Sequence, residues 1–307
     1  MRDHSLRGGF RRAWPFLLPS MAGFVLFSLW PVIISFLLSL TGWNGLSRID
    51  LFGGLLRVFR EEFAGVANYR DILAGEEFWQ VLRNTLYFIV LYVPLMIAAS
   101  LGVASILQST RRGVTAFRIL YYIPVLTSWV AGALIWKWVL SPEYGILNGL
   151  LGLVGITGPG WLQDETWAMP GIVLASVWKD AGFFGLILLS GLQGVNPSYY
   201  EAASLDGAGP VRRFLRITLP LISPVLFFVV VISIINSFQL FPQVMVMTKD
   251  AGPNGATRVM VERIYTYGFK YFKMGYASAF SWLLFVIILI MTFLQIKGQK
   301  RWVHYES

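Results

Sequence analysis

The chain has 307 residues, of which 56% are hydrophobic and only 13% charged, and its mean hydropathy is +0.63. Soluble domains carry about 25% charged residues, so about half of the usual solubilising charge is missing and the composition is that of a membrane protein. The chain has no cysteine, and its two histidines, His4 and His304, lie in the terminal tails; this excludes disulfides, thiolate chemistry and histidine-based metal or acid–base sites in the core.

The first 15 residues carry Arg2, Arg7, Arg11 and Arg12 against Asp3. The apolar run that follows, 16–40, exceeds a signal-peptide core of about 7–15 residues. It is long enough for a bilayer, which takes about 20, and is predicted as a first span that tolerates Pro19 and Pro31 as kinks. Residues 41–83 are polar and read as a long loop outside the membrane, with a short surface helix over 51–63. A second span is predicted over 84–107 with Pro94 inside, then a basic turn at Arg111-Arg112. The third span, 117–140, contains Pro124 and closes with Trp136-Lys137-Trp138, a pattern that fits the aromatic belt of a membrane interface. Residues 141–167 form a second outer loop around the turn cluster Gly158-Pro159-Gly160.

The fourth span, 168–192, runs into a polar island; the fifth is predicted over 218–242. A third outer loop, 244–275, includes a surface-lying helix in 257–273, and the sixth span covers 276–296 before Lys297, Lys300 and Arg301. The chain thus divides into a tail (1–15), a first span with its long loop (16–83), a core of five spans (84–296) enclosing the polar loop 193–217, and a second tail (297–307).

Charge orders these segments. With Arg118 and Lys137, near the two ends of the third span, counted with the sides they flank, the tails, the Arg111 turn and the polar island hold 13 basic and 4 acidic residues, and the three other loops hold 11 of each. Lys179 and Asp180, within the fourth span, cancel. The whole net charge of +9 falls on one side, and the positive-inside rule places both termini in the cytoplasm. Basic residues scattered as short flanks of apolar spans do not make a nucleic-acid surface.

The island reads Asn196-Pro197-Ser198, then Glu201-Ala202-Ala203-Ser204-Leu205-Asp206-Gly207-Ala208-Gly209-Pro210. Ser198 and Glu201 have capping-box spacing, Gly207 and Gly209 offer stop positions, and Pro210 can restart a helix. A helix of two to three turns is predicted, about 14 Å long. Alone it is marginal in water and needs something to dock against. No Gly-x-x-x-x-Gly-Lys-Ser/Thr loop occurs, so the chain has no phosphate-binding loop of that kind. At this point a transporter subunit, an ion-coupled secondary transporter and a channel all remain open.

The island continues to Phe214, Ile217 and Leu219-Pro220, and with this spacing it resembles the cytoplasmic loop of permease subunits from binding-protein-dependent ABC importers. Trp43-Asn44-Gly45, Asn68-Tyr69, Phe78-Trp79, Asn84-Thr85, Trp178-Lys179, Gly191-Leu192-Gln193, Ser237-Phe238-Gln239, Gly252-Pro253 and Met274-Gly275-Tyr276-Ala277-Ser278-Ala279 are similar to the maltose-type branch, which imports sugars and glycerol phosphate. The resemblance covers nearly the whole chain. It implies an all-α membrane protein of six spans with a short cytoplasmic coupling helix, the type I importer architecture, in a bacterial cytoplasmic membrane. It also implies partners: a second permease forming a heterodimer, two cytoplasmic ATPase subunits that bind and hydrolyse ATP, and an extracytoplasmic solute-binding protein. The chain itself would be no enzyme and hold no cofactor. Glu201, Ala202, Ala203, Asp206 and Gly207 would then form the ATPase contact, anchored by Phe214 and Ile217.

For the solute, Ser233, Asn236, Gln239 and Gln243 recur at helical spacing along the predicted fifth span, with Ser237 beside them. Amides and hydroxyls suit sugar hydroxyls because they donate and accept without an ion's desolvation cost; interhelical hydrogen bonding is the competing use. Members of the family often carry an acid near the position of Pro242, and this chain does not. Trp178 can stack on a sugar, while Lys179 and Asp180, about 100° apart on a helix, need not pair with each other and suit an ion pair with a neighbouring helix or a gate. Phosphate esters call for cations, and Lys179 is the one candidate within a span. The balance favours a neutral oligosaccharide over glycerol phosphate or a polyol.

Overall fold

The computed structural model describes residues 3–46, 54–108 and 114–304; the Arg111-Arg112 turn lies outside them. Among the described residues the regular elements are helices, with one isolated bridge between Thr41 and Phe63. In chain order they are α1 (Asp3–Phe24), α2 (Trp30–Ser39), α3 (Gly54–Glu61), α4 (Ala67–Ala74), α5 (Glu76–Gln108), α6 (Val114–Leu126), α7 (Trp129–Val139) and α8 (Ile146–Leu153). They continue as α9 (Ala168–Gln193), α10 (Pro197–Leu205), α11 (Pro210–Arg213), α12 (Leu219–Leu221), α13 (Ser223–Phe238), α14 (Pro242–Met247), α15 (Met260–Tyr265) and α16 (Met274–Gln299).

Among the described residues, four stretches are long and apolar enough to cross a membrane: Trp14–Ser39, Glu76–Gln108, Ala168–Gln193 and Met274–Gln299. The predicted third and fifth spans are bent pairs, Ile119–Leu126 with Trp129–Val139 at 110° and Pro210–Leu221 with Ser223–Phe238 at 72°. The local causes are visible. Ser128 is extended and caps α7, its hydroxyl accepting from Ala131 N–H. Pro224, which has no N–H to give and whose ring would meet the carbonyl of Pro220, follows the bend at Ile222. The helix of the fifth span also stops sooner than its apolar length suggested. Pro242 has no N–H to give and its ring would meet the carbonyl of Phe238, so α13 ends there and α14 begins anew.

Two prolines share a second device. A π-turn over Val25–Leu29 precedes Pro31, and another over Phe214–Thr218 precedes Pro220. Widening the coil one turn ahead gives room to the carbonyl four residues back, which a proline ring otherwise strikes. The prolines are thereby absorbed without a break at those points.

The chain forms two compact units, residues 1–75 with 264–283 and residues 76–263 with 284–307. In the first, segments far apart in sequence are tied by backbone groups. Asn68 Nδ2 donates to the carbonyls of Ser39 (2.9 Å) and Thr41 (2.8 Å), and Tyr69 Oη lies 2.6 Å from Ser39 Oγ. The Gly275 N–H donates to Trp43 O at 2.9 Å, and Phe36 meets Trp282 edge to face. In the second unit, α9 is the central helix. It packs along α5 and against α6, α13, α7 and α14. A Cβ on Gly182 would lie 2.3 Å from Tyr121 O, so the α6–α9 crossing requires glycine there.

Candidate functional site

The polar island folds as the helix α10, but with a different cap from the predicted one. Asn196 is the N-cap, its Oδ1 accepting from Ser198 N–H at 3.0 Å, and Pro197 takes the first turn. Ser198 is therefore already inside the helix, and the box with Glu201 does not form. Glu201 is exposed, and its carboxylate has no hydrogen-bond or ion-pair partner among the described residues. At the other end, Ala208 N–H donates to Ala203 O at 2.9 Å and Gly207 N–H to Ser204 O at 3.1 Å, the paired bonds of a Schellman motif. Gly207 has φ +72°, whereas Gly209 is extended and precedes Pro210 at the start of α11.

No residue of α10 is buried; Ala202, Asp206 and Gly207 are exposed and Ala203 half-buried. Leu205 is 90% and Val211 71% exposed, an apolar surface on a polar segment. The helix is held from one side. Tyr200 Oη lies 3.0 Å from Thr218 Oγ1, and Arg213 Nη1 donates to Ser204 Oγ at 2.7 Å, while Phe214 and Ile217 are only half-buried. The C-terminal residues join the same run, with His304 N–H donating to Ser223 Oγ at 2.9 Å and Trp302 edge-on to Phe227.

An open cavity of about 300 Å³ lies where α5, α7, α9, α13 and α14 converge. It is lined by Phe88 and Tyr92 from α5, Trp129 from α7, Ser176 and Asp180 from α9, Asn236 and Ser237 from α13, and Gln239, Leu240, Pro242 and Gln243 beyond. Tyr92 Oη donates to Asp180 Oδ2 at 2.7 Å and stacks on Phe88. Ser176 and Ser237 donate to the backbone carbonyls of Ile172 and Ser233, which leaves their lone pairs for a donor. The amides of Asn236 and Gln239 are exposed in the wall, and Gln243, only 6% exposed, has a buried Oε1 without a partner.

Of the seven residues proposed from sequence for the solute path, Asn236, Ser237, Gln239 and Gln243 meet here. They do so across the break at Leu240 and Phe241, where a continuous helical stripe had been expected. Ser233 is fully buried and donates to Val230 O. Trp178 packs edge to face on Trp136 and lines a separate apolar recess. Lys179 is buried and donates to the carbonyls of Pro124 (2.9 Å), Val125 (3.4 Å) and Thr127 (2.5 Å), so it pairs with backbone where a neighbouring acid had been expected. Phe88, Tyr92, Trp129 and Ser176 were not among the candidates, and Asp180 was one only as half of an ion pair or a gate with Lys179. The i, i+4 spacings of Phe88 with Tyr92 and of Ser176 with Asp180 were readable, but only the fold turns the two faces toward each other.

The expected surface-lying helix of the third loop is buried instead. Val259, Met260, Glu262, Arg263 and Thr266 are nearly inaccessible. Arg263 donates to both oxygens of Glu262 and, at 3.1 Å, to Glu77. Burial works against its charge, but the Glu262 and Glu77 carboxylates outweigh it, so the guanidinium titrates above its ordinary value.

Residues 80–301 match the family described as binding-protein-dependent transport system inner membrane component. The chain is 34% identical over 310 residues to the Bacillus subtilis protein named "Probable ABC transporter permease protein YesP", covering 100% of this chain and 96% of that one. It is 32% identical over 287 residues to a lactose transport system permease protein of Rhizobium radiobacter (92% of each). Over 306 residues it is 32% identical to an sn-glycerol-3-phosphate transport system permease protein of Yersinia pestis (98% and 99%). Its fold is shared with a chain of the bacterial alginate ABC transporter solved in complex with an alginate pentasaccharide-bound periplasmic protein, at a TM-score of 0.78 and 23% identity over 96% of each chain. Sequence and fold together make the chain a member of the binding-protein-dependent transport system inner membrane components, a permease of the ABC importer type and a transport protein rather than an enzyme.

Proposed function

We propose that this permease forms the path for a neutral carbohydrate, an oligosaccharide, in an ATP-driven importer of the bacterial cytoplasmic membrane. The carrying observation is the cavity wall. It offers the amides of Asn236, Gln239 and Gln243, the first two without a hydrogen-bond partner among the described residues and the third with a bare Oε1, beside the rings of Phe88, Tyr92 and Trp129, with no basic side chain among the lining residues. Amides match sugar hydroxyls and ring faces match sugar C–H faces. The glycerol-phosphate alternative needs a cation in the path. Lys179 is spent on three carbonyls, and Asp180 in the wall disfavours an anion. The lactose permease among the relatives supports the same solute class, and the glycerol-phosphate permease supports the alternative.

In this scheme six spans cross the membrane, counting each bent pair as one, with both termini cytoplasmic. The loop 193–217 presents α10 as the coupling helix, with Glu201, Ala202, Ala203, Asp206 and Gly207 against one of two ATPase subunits that bind the ATP. A second, different permease completes the path, and an extracytoplasmic binding protein delivers the solute. Exposed Leu205 and Val211, the unpaired Glu201 and the absence of a buried residue in α10 support a docking role. An ion-coupled secondary transporter is the competing mechanism. Proteoliposomes carrying the full set of subunits should take up labelled lactose or maltotriose only with internal ATP. Preferential uptake of sn-glycerol-3-phosphate would overturn the solute class, and uptake by this chain alone on an ion gradient would overturn the mechanism.

A further inference from the structure

We propose that Lys179 is a positioning residue for the cavity: its ammonium locks the break between α6 and α7 and so holds the Trp129 ring in the cavity wall. This rests on the cavity being the solute path. A lysine near the middle of a span is costly unless it finds partners. Lys179 finds them at one place. The last four carbonyls of a helix lack the regular i+4 donors, and α6 ends at Leu126, so Pro124 and Val125 belong to that set; the Thr127 N–H is shared between Ile123 O and Pro124 O at 3.2 Å each. The Lys179 Nζ donates to both and to Thr127 O just beyond, while Thr127 Oγ1 covers Ile123 O. Inside a bilayer no water is present to solvate a bare helix end, and the negative end of the helix dipole favours a cation. Three donors on one ammonium suit three converging carbonyls better than a planar guanidinium does.

The break has a direction. Ser128 is extended, the chain turns by 110°, and Trp129 is the first residue of α7. Its ring centroid lies 5.3 Å from the Lys179 Nζ, within cation–π range, and the ring lines the cavity. Asp180, the next residue, faces the cavity and accepts from Tyr92 on α5. The adjacent charges thus divide the work, one on the break and one on the wall.

The test uses the full chain in lipid nanodiscs with its twelve tryptophans replaced by 5-fluorotryptophan. Trp129→Phe assigns the Trp129 ¹⁹F resonance by its disappearance. Lys179→Met should shift and broaden that resonance, and Lys179→Arg should restore it only in part. An unchanged resonance in Lys179→Met overturns the lock. Lys179→Gln serves if the methionine variant does not insert, and an unchanged resonance there overturns it equally. In the assembled importer, half-saturating lactose or maltotriose should rise about tenfold for Lys179→Met and for Trp129→Ala, with the double variant no worse than either. Losses that multiply would refute action through Trp129. If neither sugar stimulates the wild type, the solute reading fails, and the resonance alone decides the lock.

Discussion

The polar island at 196–210 and the cavity wall are both polar stretches of an apolar chain, yet they are built by opposite means. Residues 196–210 shape themselves: a cap, a proline in the first turn, a Schellman stop at Gly207 and a restart at Pro210 all act within a few positions. The wall at 236–243 is shaped from outside, by α5, α7 and α9 converging on it. A segment that folds by local rules can do so without burying a residue, as α10 does, and keep its surface open to a partner. A cavity assembled by long-range packing cannot be altered at one side without its neighbours responding.

The largest effect should come from breaking the local side. Gly207 sits at φ +72° with open space around it, so Gly207→Val fails through backbone strain, about 1–3 kcal/mol, and not through a clash. Reorientation of α10 should lower ATP-driven uptake more than tenfold, with normal amounts of chain in the membrane. Uptake within twofold of wild type would show that the turn is dispensable for coupling. Glu201→Ala, which removes an unpaired carboxylate, should also lower uptake if the acid reaches across to the ATPase.

Pro242→Ala attacks the other side. Proline in a helix interior is disfavoured by about 3 kcal/mol, and this residue separates α13 from α14. Its loss lets the helix run on, as the bare spacing of Ser233, Asn236, Gln239 and Gln243 suggested, and would carry Gln243 out of the wall. Half-saturating sugar for stimulated ATPase should rise by about tenfold. Asn236→Ala and Gln239→Ala each delete one amide and should raise it by a similar or smaller factor, for a net loss of about 1–2 kcal/mol. Equal changes in sugar-free and sugar-stimulated rates would instead mark these amides as interhelical glue.

These contrasts explain what could be read in advance. The ends of the fourth span were legible because composition changes sharply at Ala168 and Gln193, and the stop at Gly207 because glycine has one strong use there. The bends were less legible. Pro124 and Pro242 were in view, but a proline inside an apolar run permits a kink, a π-turn or a break, and packing selects among them: Pro31 and Pro220 are absorbed, Pro242 terminates. Among so many aromatics Trp129 carried no signal, and Tyr92 only its spacing to Phe88. Lys179 was visible as a charge in a span, but its partners are backbone carbonyls of another helix, which no side-chain pattern encodes. The same holds for Arg263: a loop rich in charges and aromatics looked like a surface, and Glu262 beside it together with Glu77, far away in sequence, lets the arginine be buried.

The smallest effect tests the cap. Asn196 and Ser198 are both good cap residues two positions apart, so spacing to Glu201 alone favoured Ser198. Pro197 tips the choice, since proline is preferred at the first helical position, and that makes the preceding residue the cap. Asn196→Ala should therefore cost about 1 kcal/mol of local helix stability, read as roughly fivefold faster hydrogen exchange across 198–205 in the assembled, nucleotide-free importer. Ser198→Ala should be nearly neutral, because its hydroxyl caps nothing. If the two effects are reversed, the capping box forms after all, and Glu201 is then occupied within its own helix instead of being available to the ATPase.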